Sequence, residues 1–331
     1  MTSTLIGAAD LYRRVEHVVP AVEWATMADD VNAILRLKTE RNAVILAHNY
    51  MRPEIFHGIS DIVGDSLALA REAMTVEADV IVLAGVHFMA ETAKLLNPGK
   101  TVLIPDLRSG CSLAESITPE DVRALRAAHP GVPVVTYVNT SAAVKAESDI
   151  CCTSGNAVQV IESLGVPEVI MIPDQFLAAN IARQTGVKVI THPGACEVHE
   201  RFTPNDIRQL RADYAGDVTV LAHPECPPEV VDVADYAGST AQMINFVAER
   251  RPTRVALITE CSMSDNVATA HPDVEFVRPC NLCPHMKRIT LPKILRSLET
   301  LEYRVEIAPE IALRARRAVE RMLEVARGAK R

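Results

Sequence analysis

The 331-residue chain is long enough for two or three domains or for one large α/β domain, and 48% apolar with 23% charged residues is ordinary for a protein with a substantial core. A net charge of −8 argues against a general nucleic-acid or membrane surface, and the longest apolar runs fall far short of the roughly 20 residues a membrane span needs. No basic segment followed by an apolar core opens the chain, so a cytoplasmic location is expected, where eight cysteines serve metal or redox chemistry rather than a disulfide framework.

Residues 1–41 read as a helical arm without catalytic groups: Val31, Ile34, Leu35 and Leu37 have near-helical spacing, and Trp24 and His17 read as packing or surface residues. Ala43 to Ala47 is an apolar run suited to a buried parallel strand, and it ends in His48-Asn49-Tyr50. A loop with the makings of a lid leads to Gly64-Asp65-Ser66, with Ser66 expected as the N-cap of a helix from Leu67 to Ala73. A strand from Asp79 to Gly85, a helix around Met89 to Leu96 and a strand from Thr101 to Ile104 lead into Cys111.

The pattern then restarts twice. Pro133 to Thr136 is a strand running into Tyr137-Val138-Asn139; Ser154 precedes a helix from Ala157 to Leu164; further elements end in the strand Val187 to Ile190 and Cys196. Val218 to Leu221 runs into His223-Pro224-Glu225; Gly238-Ser239-Thr240 precedes a helix from Ala241 to Ala248; Val255 to Ile258 and Val274 to Val277 lead to Cys283. Cys111, Cys196 and Cys283 stand 85 and 87 residues apart. Strand end to hydroxyl takes 18, 17 and 17 residues, and hydroxyl to cysteine takes 45, 42 and 43. Six matched intervals imply three copies of one unit.

Each unit alternates strand and helix, so the fold expected is α/β: three homologous three-layer αβα domains with small parallel sheets, set in a pseudo-threefold ring around a central cluster. The boundaries expected are an arm at 1–41, units at 42–128, 129–214 and 215–290, and a C-terminal helical arm without chemistry at 291–331.

Parallel α/β units hold their ligands beyond the carboxyl ends of the strands, where all these residues fall. Three thiolates from three domains suit a [4Fe–4S] cluster with one iron left open as a Lewis acid. Zinc is the rival, but it draws ligands in close local pairs, and only Cys280 and Cys283 form one. Cys151, Cys152, Cys226 and Cys261 read as small core residues. Ser66, Ser154 and Thr240 at helix N-termini would receive about three anionic groups, which reconciles an anionic substrate with the acidic chain. His48, Tyr50, Tyr137, His223 and Glu225 are the acid–base candidates.

Together Ala47-His48-Asn49-Tyr50, Val63-Gly64-Asp65-Ser66, Gly85 to Glu91, Tyr137-Val138-Asn139, Gly194-Ala195-Cys196, His223-Pro224-Glu225, Gly238-Ser239-Thr240 and Cys283-Pro284-His285-Met286 resemble the quinolinate synthase A family, in the right order from about residue 40 to about residue 290. The resemblance implies a [4Fe–4S] cluster on Cys111, Cys196 and Cys283. It also implies condensation of iminoaspartate with dihydroxyacetone phosphate to quinolinate, losing phosphate and two waters, for NAD biosynthesis. An aspartate oxidase supplying the iminoaspartate is the functional partner expected. His48, Ser66, Tyr137, Asn139, Ser154, His223, Glu225 and Thr240 would line the substrate site, with Tyr50 among the acid–base groups. Some members carry CxxCxxC where this chain keeps only Cys280 and Cys283, so Cys280 is expected to be a spectator, with oxidative pairing to Cys283 as the alternative.

Two other three-cysteine cluster enzymes, the reductive dehydratase of isoprenoid synthesis and the diphthamide radical enzyme, would share the architecture but not the His-Pro-Glu and Gly-Ser-Thr pair. A redox-sensing iron–sulfur or zinc protein would leave the three hydroxyls without a purpose.

Overall fold

A computed structural model describes residues 7–328. Its twelve strands form three four-stranded parallel sheets of one topology. The first holds β1 (Ala43–His48), β2 (Ile62–Gly64), β3 (Val80–Ala84) and β4 (Thr101–Leu103) in the order β2-β1-β3-β4. The second repeats it with β5 (Val134–Tyr137), β6 (Ile150–Cys152), β7 (Glu168–Ile172) and β8 (Lys188–Thr191), ordered β6-β5-β7-β8. The third has β9 (Thr219–Ala222), β10 (Tyr236–Ala237), β11 (Arg254–Ile258) and β12 (Glu275–Val277), ordered β10-β9-β11-β12. In each, the two central strands pair in register, as Ala43 with Val80, Val135 with Met171 and Leu221 with Leu257. These strands are buried runs of Val, Ile, Leu and Ala, as a sheet covered on both faces requires.

Every sheet carries one strand more than the three expected per unit. β2, β6 and β10 are edge strands of two or three residues, too short to show a period. Helices Ser66–Ala73, His87–Leu96, Ala157–Ser163, Gln175–Ala182, Thr240–Arg250 and Ser262–Ala270 make the crossovers. The stretch between His48 and Ser66 packs into the core: Met51, Ile55 and Ile59 are completely or almost completely buried around a π-helical turn, Glu54–Ile59.

The ring is closed by a repeated device. Thr118 and Thr203 cap the helices Pro119–Ala128 and Pro204–Asp213 through capping boxes with Asp121 and Asp206, and Thr290 opens the helix Leu291–Thr300. Each of these caps falls seven residues after Cys111, Cys196 or Cys283. Each helix then packs on the next sheet. Val122 joins Val134 and Ile170 of the second, and Ile207 joins Val218 and Val220 of the third. Ile294 and Leu298 return to the core of the first, where their helix meets β3 and the long helix Ala21–Glu40. Helix Pro309–Gly328 buries Ala315, Ala318, Val319, Met322 and Leu323 across β6 and helix Ala142–Ala146, the spacing of an amphipathic cover. Among the described residues, no helix is long and apolar enough to cross a membrane.

Candidate active site

The carboxyl ends of β1, β5 and β9 face one central cavity with an empty volume of about 700 Å³. All twelve residues singled out in the sequence lie on its wall: His48, Tyr50, Ser66, Cys111, Tyr137, Asn139, Ser154, Cys196, His223, Glu225, Thr240 and Cys283. Contacts across every unit boundary hold them together. Glu91 Oε2 accepts from Ala142 N at 2.9 Å, Ser154 Oγ meets His223 Nε2 at 3.3 Å, and Asn49 Nδ2 donates to Thr240 Oγ1 at 2.9 Å.

None of the three hydroxyls is a cap. Asp65 accepts from Ala68 N and caps the first helix, and Ser239 caps the third through a box with Gln242, so Ser66 and Thr240 are first helical residues. The second helix starts three residues beyond Ser154, after Asn156. With the first and third helices capped from Asp65 and Ser239, the hydroxyls of Ser66 and Thr240 rather than bare helix ends face a ligand there.

Glu225 is the hub. Tyr137 Oη donates to its Oε1, Asn139 Nδ2 lies 3.5 Å from the same oxygen, and His199 Nδ1 stands 2.7 Å from Oε2. Burial opposes ionisation of this carboxyl. His199 and His223 beside it, with the hydrogen bonds from His199 and Tyr137, outweigh that and hold it well below the usual carboxylate range. The Tyr50 and Tyr137 hydroxyls are pushed up, first by burial and then by the charge of Glu225, so both are protonated donors.

His199 links the hub to Tyr50. Its Nε2 is 2.8 Å from Thr259 Oγ1, which is 2.7 Å from Tyr50 Oη. Neither His199 nor Thr259 stands out in the sequence; the one available signal is that His199 follows Cys196 by three residues. His223 stacks on His199 with ring centroids 4.7 Å apart. Burial pushes the His48 and His223 imidazoles down to about 3, so both are neutral. The Nδ1 of each faces a backbone N–H, from Tyr50 and Glu225 respectively, so the ring proton sits on Nε2.

The three thiols are free, half-buried and alike in setting. The backbone N–H groups two and three residues on favour each thiolate, Leu113 and Ala114 for Cys111, Val198 and His199 for Cys196, His285 and Met286 for Cys283, and Met286 N donates to Cys283 Sγ at 3.5 Å. Burial pushes Cys111 up to about 12 and Cys283 up to about 11, and Cys196 also upward, so a metal must displace their protons. Three equivalent N–H cradles suit metal-bound thiolates, whose sulfurs are tuned by such hydrogen bonds. Behind Cys283, Glu260 accepts from its backbone N–H at 3.2 Å and pairs with Lys287 at 2.8 Å.

Two cysteines depart from expectation. Cys280 is not a partner of Cys283, and Cys261 is not a lone core thiol; they form a disulfide with each other, which leaves Cys280 outside the proposed ligand set. A backbone bridge between Glu260 and Asn281, with Cys261 N donating to Asn281 O at 3.2 Å, brings their Cα atoms to 4.9 Å, within disulfide reach. Cys151, Cys152 and Cys226 are buried core residues as expected.

A carboxylate, two neutral imidazoles and two tyrosines joined by hydrogen bonds, beside three cradled thiols in one cavity, define the class as an enzyme with room for a metal centre. The family model described as "Quinolinate synthetase A protein" matches residues 32–324. The chain is 70% identical over 320 residues to a quinolinate synthase of Agrobacterium fabrum, covering 97% of this chain and 92% of that one. It is 68% identical over 325 residues to "Quinolinate synthase 1" of Mesorhizobium japonicum (98% and 100% covered) and 68% over 297 residues to a quinolinate synthase of Xylella fastidiosa strain Temecula1 (90% and 87%). The chain belongs to the quinolinate synthetase A family and is an enzyme of that kind.

Proposed function

We propose that this enzyme makes quinolinate for NAD biosynthesis by condensing iminoaspartate with dihydroxyacetone phosphate, releasing phosphate and two waters. The balance closes without an oxidant or reductant. The observation that carries the reading is the set of three equivalent thiol cradles opening onto the Glu225 hub. Cys111, Cys196 and Cys283 would hold a [4Fe–4S] cluster. Among the described residues, the His, Cys, Asp and Glu groups that gather ligand atoms within 4.8 Å of one another are limited to Cys196, His199 and Glu225. Cys111, Cys196 and Cys283 do not form such a group, so their sulfurs do not close together on one ion, which suits a polynuclear centre on the three; Cys196, His199 and Glu225 are the set a single ion could bridge. When bound, the cluster supplies a Lewis-acidic open iron for holding a departing hydroxyl.

The protein's own groups handle binding and protons. Neutral N–H and O–H donors from His48, Asn139, Ser66, Ser154 and Thr240 receive the two carboxylates and the phosphate. Tyr50 and His48 act on the triose. The Tyr50 proton can pass through Thr259 to His199 Nε2, while ionised Glu225 at Nδ1 stabilises the imidazolium that forms. Glu225 with His223 serves the later proton transfers. An aspartate oxidase upstream would supply the imine, which hydrolyses in water.

Anaerobic purification with iron and sulfide analysis tests the reading, followed by assay of quinolinate from aspartate, an aspartate oxidase and dihydroxyacetone phosphate. About four irons per chain with product formation are expected; stoichiometric zinc without product refutes it. Tyr50→Phe and Glu225→Gln should each lose roughly 10²-fold or more in kcat with the iron retained. Unchanged turnover in both would sink the proton assignment.

A further inference from the structure

We infer that Asn180 and Asn266 are positioning residues, each reaching across a unit boundary to clamp the two backbone carbonyls that flank an acid–base side chain. Asn266, on helix Ser262–Ala270 of the third unit, donates through Nδ2 to Asn49 O at 2.9 Å and Met51 O at 2.7 Å, bracketing Tyr50 in the first. Asn180, on helix Gln175–Ala182 of the second unit, donates through Nδ2 to Pro224 O and Cys226 O, both at 2.9 Å, bracketing Glu225 in the third.

The two clamps are copies. Each asparagine lies eight residues beyond the end of its strand, Ile172 or Ile258, and each is almost fully buried, at 3% and 4% exposure. In both, Oδ1 is a buried acceptor without a partner among the described residues. An interior position kept only for packing has no reason to hold an amide whose acceptor goes unmet. The donor half therefore accounts for the residue.

The first unit breaks the pattern in a telling way. Its equivalent position holds Thr92, whose hydroxyl turns back to Phe88 O at 2.9 Å and reaches no neighbour. The loop it would have clamped, Tyr137 to Thr140, is held from within its own unit by buried Lys145, which donates to Thr140 O and stands over the Phe88 ring at 5.5 Å. Asn139, which stands in the repeat where Tyr50 and Glu225 do, is thus flanked by a carbonyl held from its own unit, whereas the carbonyls flanking Tyr50 and Glu225 are held by the neighbouring unit. Two of the acid–base groups are completed by ring assembly.

The inference rests on the acid–base roles given to Tyr50 and Glu225 above, so its test carries one readout independent of turnover. Asn180→Ala and Asn266→Ala are compared with Asn97→Ala, which removes another buried amide, one clamping Ala73 O and Ala93 O inside the first unit. Asn180→Thr and Asn266→Thr, which place at each site the residue the first repeat carries there, serve if the alanine variants fold poorly. Hydrogen exchange is expected to rise at residues 223–226 in the Asn180 variants alone and at 48–51 in the Asn266 variants alone. In the holoenzyme, kcat should drop roughly 10- to 100-fold with iron content unchanged. The acidic limb of the rate profile should move in the Asn180 variants and hold still in the Asn266 variants. Asn97→Ala should lose thermal midpoint with kcat within about twofold. Unchanged exchange at both loops overturns the clamps whatever the activity. Parent protein that makes no quinolinate overturns the functional reading, while the exchange result still judges the clamps. Changed exchange with unchanged kcat overturns their positioning role.

Discussion

Acidification should destabilise this protein through two imidazoles buried in the uncharged form. His48 and His223 are driven down to about 3 by burial; Glu225 pulls both back up, while Lys287 near His48, and His199 and His48 near His223, push further down. In the unfolded chain both return to about 6.5. The unfolded state therefore binds the extra protons, and the stability these groups confer is complete above about pH 6.5 and drains away as pH falls toward 3. Each contributes a slope of about 1.4 kcal/mol per pH unit, so from about pH 6.5 to about pH 5 the pair removes roughly 3 kcal/mol. Asp65, Asp174 and Glu260, whose carboxyls burial pushes up, act in the opposite sense, so the total slope is smaller than the histidine share. Subtraction isolates that share: His223→Gln and His48→Gln should each flatten the dependence by about 1.4 kcal/mol per pH unit. Anaerobic urea unfolding across about pH 7 to about pH 5 measures it. Identical pH dependence in the parent and the double variant would refute the neutral-imidazole assignment.

Tyr137→Phe removes a hydrogen bond that lowers the Glu225 carboxyl, so the acidic limb of the pH–rate profile should move upward and kcat should fall roughly 10- to 100-fold. Cys280→Ser opens a disulfide whose partners are 19 residues apart; it should cost about 3 kcal/mol by chemical denaturation while iron analysis stays at the parent level. Cys283→Ser, by contrast, should lose iron. Ile55→Ala should cost about 2–5 kcal/mol by thermal unfolding, because its side chain is completely buried. A change in KM with unchanged stability would refute this packing role.

Much of the ring is legible in the residues, and the remainder is hidden for identifiable reasons. Nine strands show as runs of Val, Ile and Leu because both sheet faces are covered; β2, β6 and β10 do not, since two or three edge residues carry no periodicity. Helix Ser262–Ala270 is masked by four polar residues among its first five, although Met263 and Val267 are buried. The twelve cavity residues can be found because a repeat converts spacing into position. His199 and Thr259 cannot, because each occurs in one unit only and becomes part of the site by reaching His223, Glu225 and Tyr50 from other segments. The Cys261–Cys280 bond is equally silent: its partners meet through the pairing of Glu260 with Asn281, and no spacing motif announces that. Ser66 and Thr240 miss the cap by one position because the adjacent Asp65 and Ser239 cap equally well.

Helix Leu291–Thr300 has a bearing on how the molecule is made. Of the three sheets, the one it covers is the first to leave the ribosome, and its cover follows the third. At about 5–20 residues per second, the first unit waits many seconds with the apolar surface beneath Ile294 and Leu298 exposed. A chaperone or a temporary intramolecular substitute has that surface to protect. Throughout this interval Cys283, the third ligand of the proposed cluster, is also missing. Because helix Ala21–Glu40 lies against Leu291–Thr300, the ring closes only when the segment that precedes the first unit meets the one that follows the third.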